Sequence, residues 1–318
     1  MLNSSCTFEH LMANNMNQTV LFSTESYTYL KNELLGMHNY INGEIIRKTF
    51  PDGEHYMQLL TDLEDKEVVL IGGTINDHDT LELYDIANGI IQLGARSLKM
   101  VIPYFGYATM ERAVKVGEVV KAKNRALLLS SIPHGSVSNA IYLIDLHAEG
   151  IPYYFEKEVR CHHLYCKSII IAACHELCGH DFILASTDAG RAKWVESLAN
   201  DMQVKSAFVY KHRTSGDETI ITGVNADVMD KSVIIYDDMI RTGGSLMQAA
   251  KAYHDAGAKQ VFAITTHGLF TNHALEKIQQ QQIITRVVCI NTHPASDALN
   301  SDFLIKKSVA PIIFEALK

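Results

Sequence analysis

The segment SVIIYDDMIRTGGSLMQAAKAYHDAGAKQV, Ser232–Val261, carries the reading of the whole chain. Its run VIIY is apolar and β-branched, as a strand buried on both faces requires. The following LMQAAKAYHDAG reads as a helix, and TGGS is the turn between them. Glycine permits positive φ and a close approach of backbone to a ligand. Successive N–H groups in such a turn, together with a helix N-terminus, form a concavity for an anion. Thr242 and Ser245 add hydroxyl donors on either side of Gly243 and Gly244. Asp237 and Asp238 stand just upstream. Ionised carboxylates repel phosphate, and they accept hydrogen bonds without donating any. Two of them beside an anion site suit the vicinal hydroxyls of a ribose whose 5-phosphate lies in the turn. The plainer alternative is an Asp pair at a strand end that caps the following helix.

Similar β-branched runs recur outward from this segment. They include EVVLIGG near 67–73, KMVIPYFG near 99–106, AIYLIDLH near 140–147, DFILAST near 181–187, SAFVYK near 206–211, QVFAITTHG near 260–268 and RVVCINTH near 286–293. Alternation with helical patterns predicts βαβ units and an α/β fold of mainly parallel sheets flanked by helices. In such sheets ligands bind at the carboxyl ends of the strands, so the polar residues that close these runs are where chemistry is expected. His267, in THGLF, closes one of them. No Pro/Gly/Ser-rich linker marks a boundary. The two halves look alike in layout, and the division is placed near residue 155, giving domains 1–155 and 156–318. The final run APIIFEAL reads as a strand, and the last residues could return to the N-terminal domain. QQQQ at 279–282 reads as an exposed helix end or turn.

With 318 residues the chain is long enough for about two domains. The net charge of −8 argues against non-specific binding to nucleic acid or an anionic membrane, both of which want a basic surface. No apolar run approaches the roughly 18 residues that span a bilayer. The opening MLNSSCTFEHLMANNMNQTV lacks a basic segment followed by an apolar core, so no secretory signal is expected and the simplest address is the cytoplasm. The six cysteines have no compact disulfide spacing. CHHLYCKSIIIAACHELCGH, Cys161–His180, invites a metal reading, but it matches no zinc template well, and a helix with buried thiols is simpler.

The segment IIYDDMIRTGGS resembles the phosphoribosyl-pyrophosphate motif shared by phosphoribosyltransferases and ribose-phosphate diphosphokinases. Further segments resemble the diphosphokinases: FPDGEHYMQL at 50–59 their FxDGE segment, VIPYFGYA at 101–108 their PYxxYA, YLIDLHAEGIPYYF their DLHA, STDAGRAKWVESLA their PDAGG, and VYKHR the start of their mobile catalytic loop. The matches fall in family order from about residue 45 to the end. Where much of the family has Arg-Gln-Asp after PYFGYA, this chain has Thr109, Met110, Glu111 and Arg112. The Glu-Arg pair and SSIP are similar to the divergent plant-type branch.

The resemblance implies two phosphoribosyltransferase-like domains and transfer of the β,γ-diphosphoryl group of ATP to the C1 hydroxyl of ribose 5-phosphate, with Mg²⁺ and release of AMP. It implies His147 and Asp188 for the metal, with His147 also acting through water or on a phosphate oxygen. It implies Lys211 and Arg213, on a loop after SAFVY, for transition-state charge. Asp237, Asp238, Arg241, Thr242, Gly243, Gly244 and Ser245 would hold the ribose phosphate. Phe50, Asp52, Glu54, Glu111 and Arg112 would hold ATP, the FxDGE residues across a subunit interface in a homo-oligomer. Arg241 stands where many members have Asp. It either points outward or adds charge for a larger acceptor such as ADP-ribose, since guanidinium binds phosphate bidentately. The rival readings are a phosphoribosyltransferase and a non-catalytic regulatory homologue.

Overall fold

Short apolar runs set the architecture. Strands β1 (Val20–Ser23), β2 (Ile41–Asn42), β3 (Ile45–Thr49), β4 (His55–Leu59), β5 (Glu67–Ile71), β6 (Ser97–Ile102), β7 (Ala140–Ile144) and β8 (Arg160–Leu164) come first in the chain. Strands β9 (Ile183–Ser186), β10 (Lys205–Arg213), β11 (Thr219–Val224), β12 (Ser232–Ile240), β13 (Gln260–Gly268), β14 (Ile284–Ile290) and β15 (Leu304–Lys307) follow. They are seen in a computed structural model that describes residues 18–156, 158–213 and 219–318, without the side chains of 211–222. Contacts divide the chain into unit 1, which runs to Leu164 and includes Ala310–Lys318, and unit 2, Tyr165–Val309.

Unit 1 is built on a six-stranded parallel sheet in the order β2-β1-β5-β6-β7-β8. Parallel neighbours need crossover connections, and the helices Thr28–Met37, Asp77–Gln92 and Lys121–Ser130 supply several of them. Val68 and Leu70 join one cluster with Phe22, Leu98 and Met100, while Val69, Ile71 and Val101, pointing the other way, are no more than 1% exposed. Burial on both faces is why these strands read as continuous apolar runs rather than alternating ones. Strands β3 and β4 form a separate antiparallel hairpin.

Unit 2 repeats the plan. Its sheet runs β11-β10-β9-β12-β13-β14-β15, with β11 antiparallel to β10 and every other pair parallel. Counting only the parallel strands, each unit has the spatial order second, first, third, fourth, fifth, sixth. The added element falls at the same point in both, after the second strand: the β3–β4 hairpin in unit 1 and β11 in unit 2.

Two expectations are corrected. APIIFEAL forms a helix, Ala310–Leu317, not a strand. Its buried residues Ala310, Ile313 and Leu317 recur at helical spacing, and Pro311 in the first turn costs no intrahelical hydrogen bond. The KHR residues are also not a loop: β10 continues to Arg213, with Lys211 opposite Ile221 and a register shift between Tyr210 and Lys211. QQQQ falls where the helix Ala274–Gln280 ends, with Gln282 at φ 56°. Cys161 lies on β8, and Cys174 is buried in the helix Lys167–Cys178; burial pushes both thiols up to about 12. Among the described residues no group of three or more His, Cys, Asp or Glu is placed to hold a metal. No helix of the described residues is long and apolar enough to cross a membrane.

Ile313 is fully buried on a helix that packs against Thr28–Met37 within unit 1. Ile313→Ala should lower stability by about 2–5 kcal/mol, the usual range for emptying such a site. Urea unfolding followed by circular dichroism measures it; a loss under about 1 kcal/mol would mean that the last helix is not part of the core.

Candidate active site

The carboxylate pair sits within β12, not after it, because the strand continues to Ile240 and Asp237 is in register with Thr265 of β13. The chain leaves β9 toward β10 on one side and leaves β12 toward β13 on the other. Strand order therefore reverses between β9 and β12, and the mouth outside their carboxyl ends is the expected ligand crevice of an open α/β sheet. Thr187 and Asp188 follow β9 and meet this mouth. The Thr187 hydroxyl donates to Asp237 Oδ2 at 3.0 Å. Arg191 places a guanidinium nitrogen 2.5 Å from Asp238 Oδ2. Asp238 is buried and Asp237 is half-buried. Burial pushes the Asp237 carboxyl up to about 8, helped by the charge of Asp238 and a hydrogen bond with it, while Thr187 and Arg191 oppose the rise.

Asp188 caps a short 3₁₀ turn, Ala189–Arg191. Its Oδ1 accepts from the Gly190 N–H at 2.9 Å, and its carbonyl accepts from the Ser186 hydroxyl at 2.6 Å. The acid is half-buried at the edge of the same mouth.

The anion turn follows β12 directly. Arg241 and Thr242 are exposed, Gly243 is buried at φ 77°, and the helix Gly244–Asp255 begins there with Ser245 exposed. A Cβ on Gly243 would lie 2.9 Å from Ile278 Cδ1, in a left-handed conformation that side chains resist, so glycine is required twice over. The Arg241 carbonyl accepts from the Thr271 N–H at 2.9 Å, which ties the turn to the segment after β13. The first N–H groups of the helix have no intrahelical acceptor, so the turn can hold an anion. His267 lies one strand away, in register with Met239, and its Nδ1 is 2.8 Å from Thr292 Oγ1. The Thr292 hydroxyl donates to the Thr266 carbonyl at 2.7 Å, so His267 Nδ1 is the donor in that pair.

In unit 1 His147 follows β7, half-buried, after Asp145 at φ 38°. The loop is held by the Leu146 N–H, which donates to His163 Nε2 of β8 at 2.9 Å. Burial lowers the His163 pKa, against the pull of Asp145 and Glu149. Phe50, Asp52 and Glu54 form the exposed tip of the β3–β4 hairpin. There Phe50 N–H donates to the Glu54 carbonyl, Glu54 N–H donates to Asp52 Oδ1, and Gly53 takes φ 94°. Glu111 and Arg112 lie after the 3₁₀ turn Ala108–Met110. Their side chains are 3.4 Å apart, and the Glu111 carbonyl accepts from the Tyr154 hydroxyl at 2.5 Å. Lys211 and Arg213 end β10; their side chains lie outside the described residues.

The structure thus places Asp188, Asp237, Asp238 and the 241–245 turn at or just after the ends of the neighbouring strands β9 and β12 in unit 2. Reading the sequence overlooked the residues that hold the pair, Thr187 and Arg191, and also Trp194, which stacks on Tyr236 with centroids 4.4 Å apart. Only the DAG turn itself could have flagged them, since it places Thr187 before and Arg191 after Asp188.

The family described as the N-terminal domain of ribose phosphate pyrophosphokinase matches residues 19–132, and the phosphoribosyl synthetase-associated domain matches 187–318. The chain is 31% identical over 303 residues to the ribose-phosphate pyrophosphokinase of Nostoc sp., covering 93% of this chain and 89% of that one. It is 29% identical over 282 residues to the protein of the same name from Pyrococcus abyssi, covering 87% and 94%. A solved phosphoribosylpyrophosphate synthetase from Mycobacterium smegmatis shares the fold, with a TM-score of 0.84, 22% identity, and coverage of 95% and 98%.

A carboxyl raised by folding binds its proton more tightly in the folded state than in the unfolded one. Stability therefore falls as pH rises from the ordinary carboxylate range through about 8. Asp237→Asn removes this slope. Between about pH 5 and pH 9 the wild-type melting temperature should drop more than that of the variant; parallel curves would contradict the assignment.

Proposed function

Because the chain belongs to the ribose-phosphate pyrophosphokinase family, we propose that it makes phosphoribosyl pyrophosphate. The C1 hydroxyl oxygen of ribose 5-phosphate bonds to the β-phosphorus of ATP as the bond bridging the α- and β-phosphates breaks; AMP leaves with that bond's electrons, and the hydroxyl proton passes to solvent. The observation that carries the reading is the juxtaposition, on one strand, turn and helix, of two carboxylates with a glycine-built anion turn at the reversal of strand order.

Each part of the acceptor has a matching group. The N–H groups of Gly243, Gly244 and Ser245, with the hydroxyls of Thr242 and Ser245, take the 5-phosphate. Asp237 and Asp238 accept from the ribose hydroxyls, which orients the C1 oxygen. Lys211 and Arg213 stabilise the charge that spreads over the transferring phosphoryl oxygens, a reaction that depends on positioning and electrostatics more than on covalent chemistry. His147 acts on a phosphate oxygen or through water.

Asp188 offers hard oxygen donors at an open strand end, with one oxygen engaged by Gly190. The described residues form no all-protein metal cage, and Mg²⁺ is commonly held by one or two carboxylates plus substrate phosphates and water. Asp188 fits such an ion as its carboxylate ligand. When bound it would neutralise phosphate charge.

The exposed tip of the β3–β4 hairpin supports an ATP-binding role served to a neighbouring subunit in a homo-oligomer. Phe50 would stack on adenine, and Asp52 or Glu54 would accept from its amine. Glu111 and Arg112 complete the nucleotide side. The exposure of Arg241 supports its pointing outward, with ribose 5-phosphate as the acceptor.

AMP release from ATP and Mg²⁺ across ribose 5-phosphate, ADP-ribose and unphosphorylated ribose tests the reading. Ribose 5-phosphate should win by orders of magnitude, and no AMP with any acceptor would favour a non-catalytic homologue. Asp237→Asn with Asp238→Asn should cost about 10²–10⁴-fold in kcat/KM, the loss expected when both acids that orient the diol go. Phe50→Ala and Asp188→Ala proteins should each be weak alone and regain activity when mixed. A mixture no better than its parts would argue against a hairpin that serves a neighbour.

A further inference from the structure

Arg191 has no part in the chemistry proposed above, yet it brings a cation to the acidic pair. It ends the turn Ala189–Arg191, is four-fifths buried, and lies 2.5 Å from Oδ2 of Asp238, itself only 4% exposed. It stands where the PDAGG pattern has its last glycine, a residue that could supply no charge. Thr187 binds Asp237 from the other end of the same turn. One short segment after β9 therefore grips both carboxylates of β12.

Two adjacent carboxylates in a low-dielectric site repel each other and repel an incoming phosphate. A guanidinium offsets one charge, and its planar fork fixes the plane of the carboxylate it meets, which an ammonium does not do. A carboxyl group has acceptor sites beyond a single holding contact, so each acid can keep that contact and still accept from a sugar hydroxyl.

We propose that Arg191 is a positioning residue of the sugar site: by fixing one oxygen of Asp238 it presents the Asp237–Asp238 pair to the ribose diol in a single orientation. The inference rests on the sugar-phosphate reading above. It concerns binding of the acceptor rather than phosphoryl transfer, so it affects KM for ribose 5-phosphate more than kcat.

The chain supplies its own reporter. Trp194 is the only tryptophan; it lies three residues beyond Arg191 and stacks on Tyr236, the neighbour of Asp237. Titrating its emission with ribose 5-phosphate gives a Kd without turnover. The test compares wild type, Arg191→Gln, Arg191→Lys, Asp238→Asn and the Arg191→Gln/Asp238→Asn double variant. Arg191→Gln should raise both Kd and KM for ribose 5-phosphate about tenfold or more, with kcat within about threefold and KM for ATP unchanged. Arg191→Lys should recover part of the loss. The double variant should bind about as weakly as Asp238→Asn alone, because both changes break one interaction.

Wild-type Kd and KM in Arg191→Gln, or losses that multiply in the double variant, would overturn the proposal. If Arg191→Gln does not fold, Arg191→Lys decides, since a fork that positions must leave about a threefold rise in Kd when only the charge is kept. The two readings fail separately. Wild type that turns over beside an unaffected Arg191→Gln sinks this inference alone. Wild type that binds ribose 5-phosphate but releases no AMP sinks the reaction, and the Kd series still judges Arg191. Wild type that neither binds nor turns over sinks both.

Discussion

Everything at the site depends on keeping two neighbouring carboxylates at the end of a buried strand. Such a pair is expensive: burial and mutual repulsion both penalise the charged form, as the raised Asp237 shows. The cost is contained by geometry. The reversal of strand order opens a gap between the ends of β9 and β12, and the turn after β9 fills its rim with a hydroxyl for one acid and a guanidinium for the other. Leaving one side of such a buried ion pair unmatched costs about 3–5 kcal/mol, a large share of a domain's stability. A fold that tolerates this expense at a crevice is one in which those acids have a ligand to meet.

The two units share a strand order but not the use made of it. In unit 1 the corresponding gap lies between β1 and β5, and it is packed with the protein's own side chains. Thr24, Tyr27 and Thr74 are fully buried there. A Cβ on Gly72 would lie 2.7 Å from Thr24 Cγ2, and one on Gly73 would lie 2.5 Å from Tyr27 Oη. Gly106 brings the loop after β6 so close that a Cβ would meet the Thr74 carbonyl at 1.9 Å. Close packing of this kind fills the space beside Gly72, Gly73 and Gly106. His147 after β7 and the hairpin tip lie at other strand ends.

Much of this was legible in the sequence because the strands of both sheets are buried on two faces and stand out as apolar runs. The glycine turn and the acids before it were legible for a chemical reason, since few other purposes bring those residue types together. What escaped was short or polar. RCHHL, the edge strand β8, is half-buried and has no apolar run, and VLFS and LIKK are only four residues long. APIIFEAL misled because a short apolar run does not by itself distinguish a strand from a buried helix. The grip of Arg191 on Asp238 joins positions 47 residues apart in sequence and needs the sheet order to be seen. Pairing with β13 carries β12 past the acids to Ile240, which no apolar run announces.

The return of Ala310–Leu317 to unit 1 has a consequence for synthesis. Unit 2 is inserted in the chain between the bulk of unit 1 and the helix that completes it. On a ribosome, which delivers about 5–20 residues each second, the whole of unit 2 emerges before the piece that carries Ile313. The first half must wait, with apolar surface uncovered, while the second half is made. A stop codon just before Ala310 would release a chain whose second half is intact and whose first half lacks that helix, a product suited to chaperones and proteases rather than to assembly.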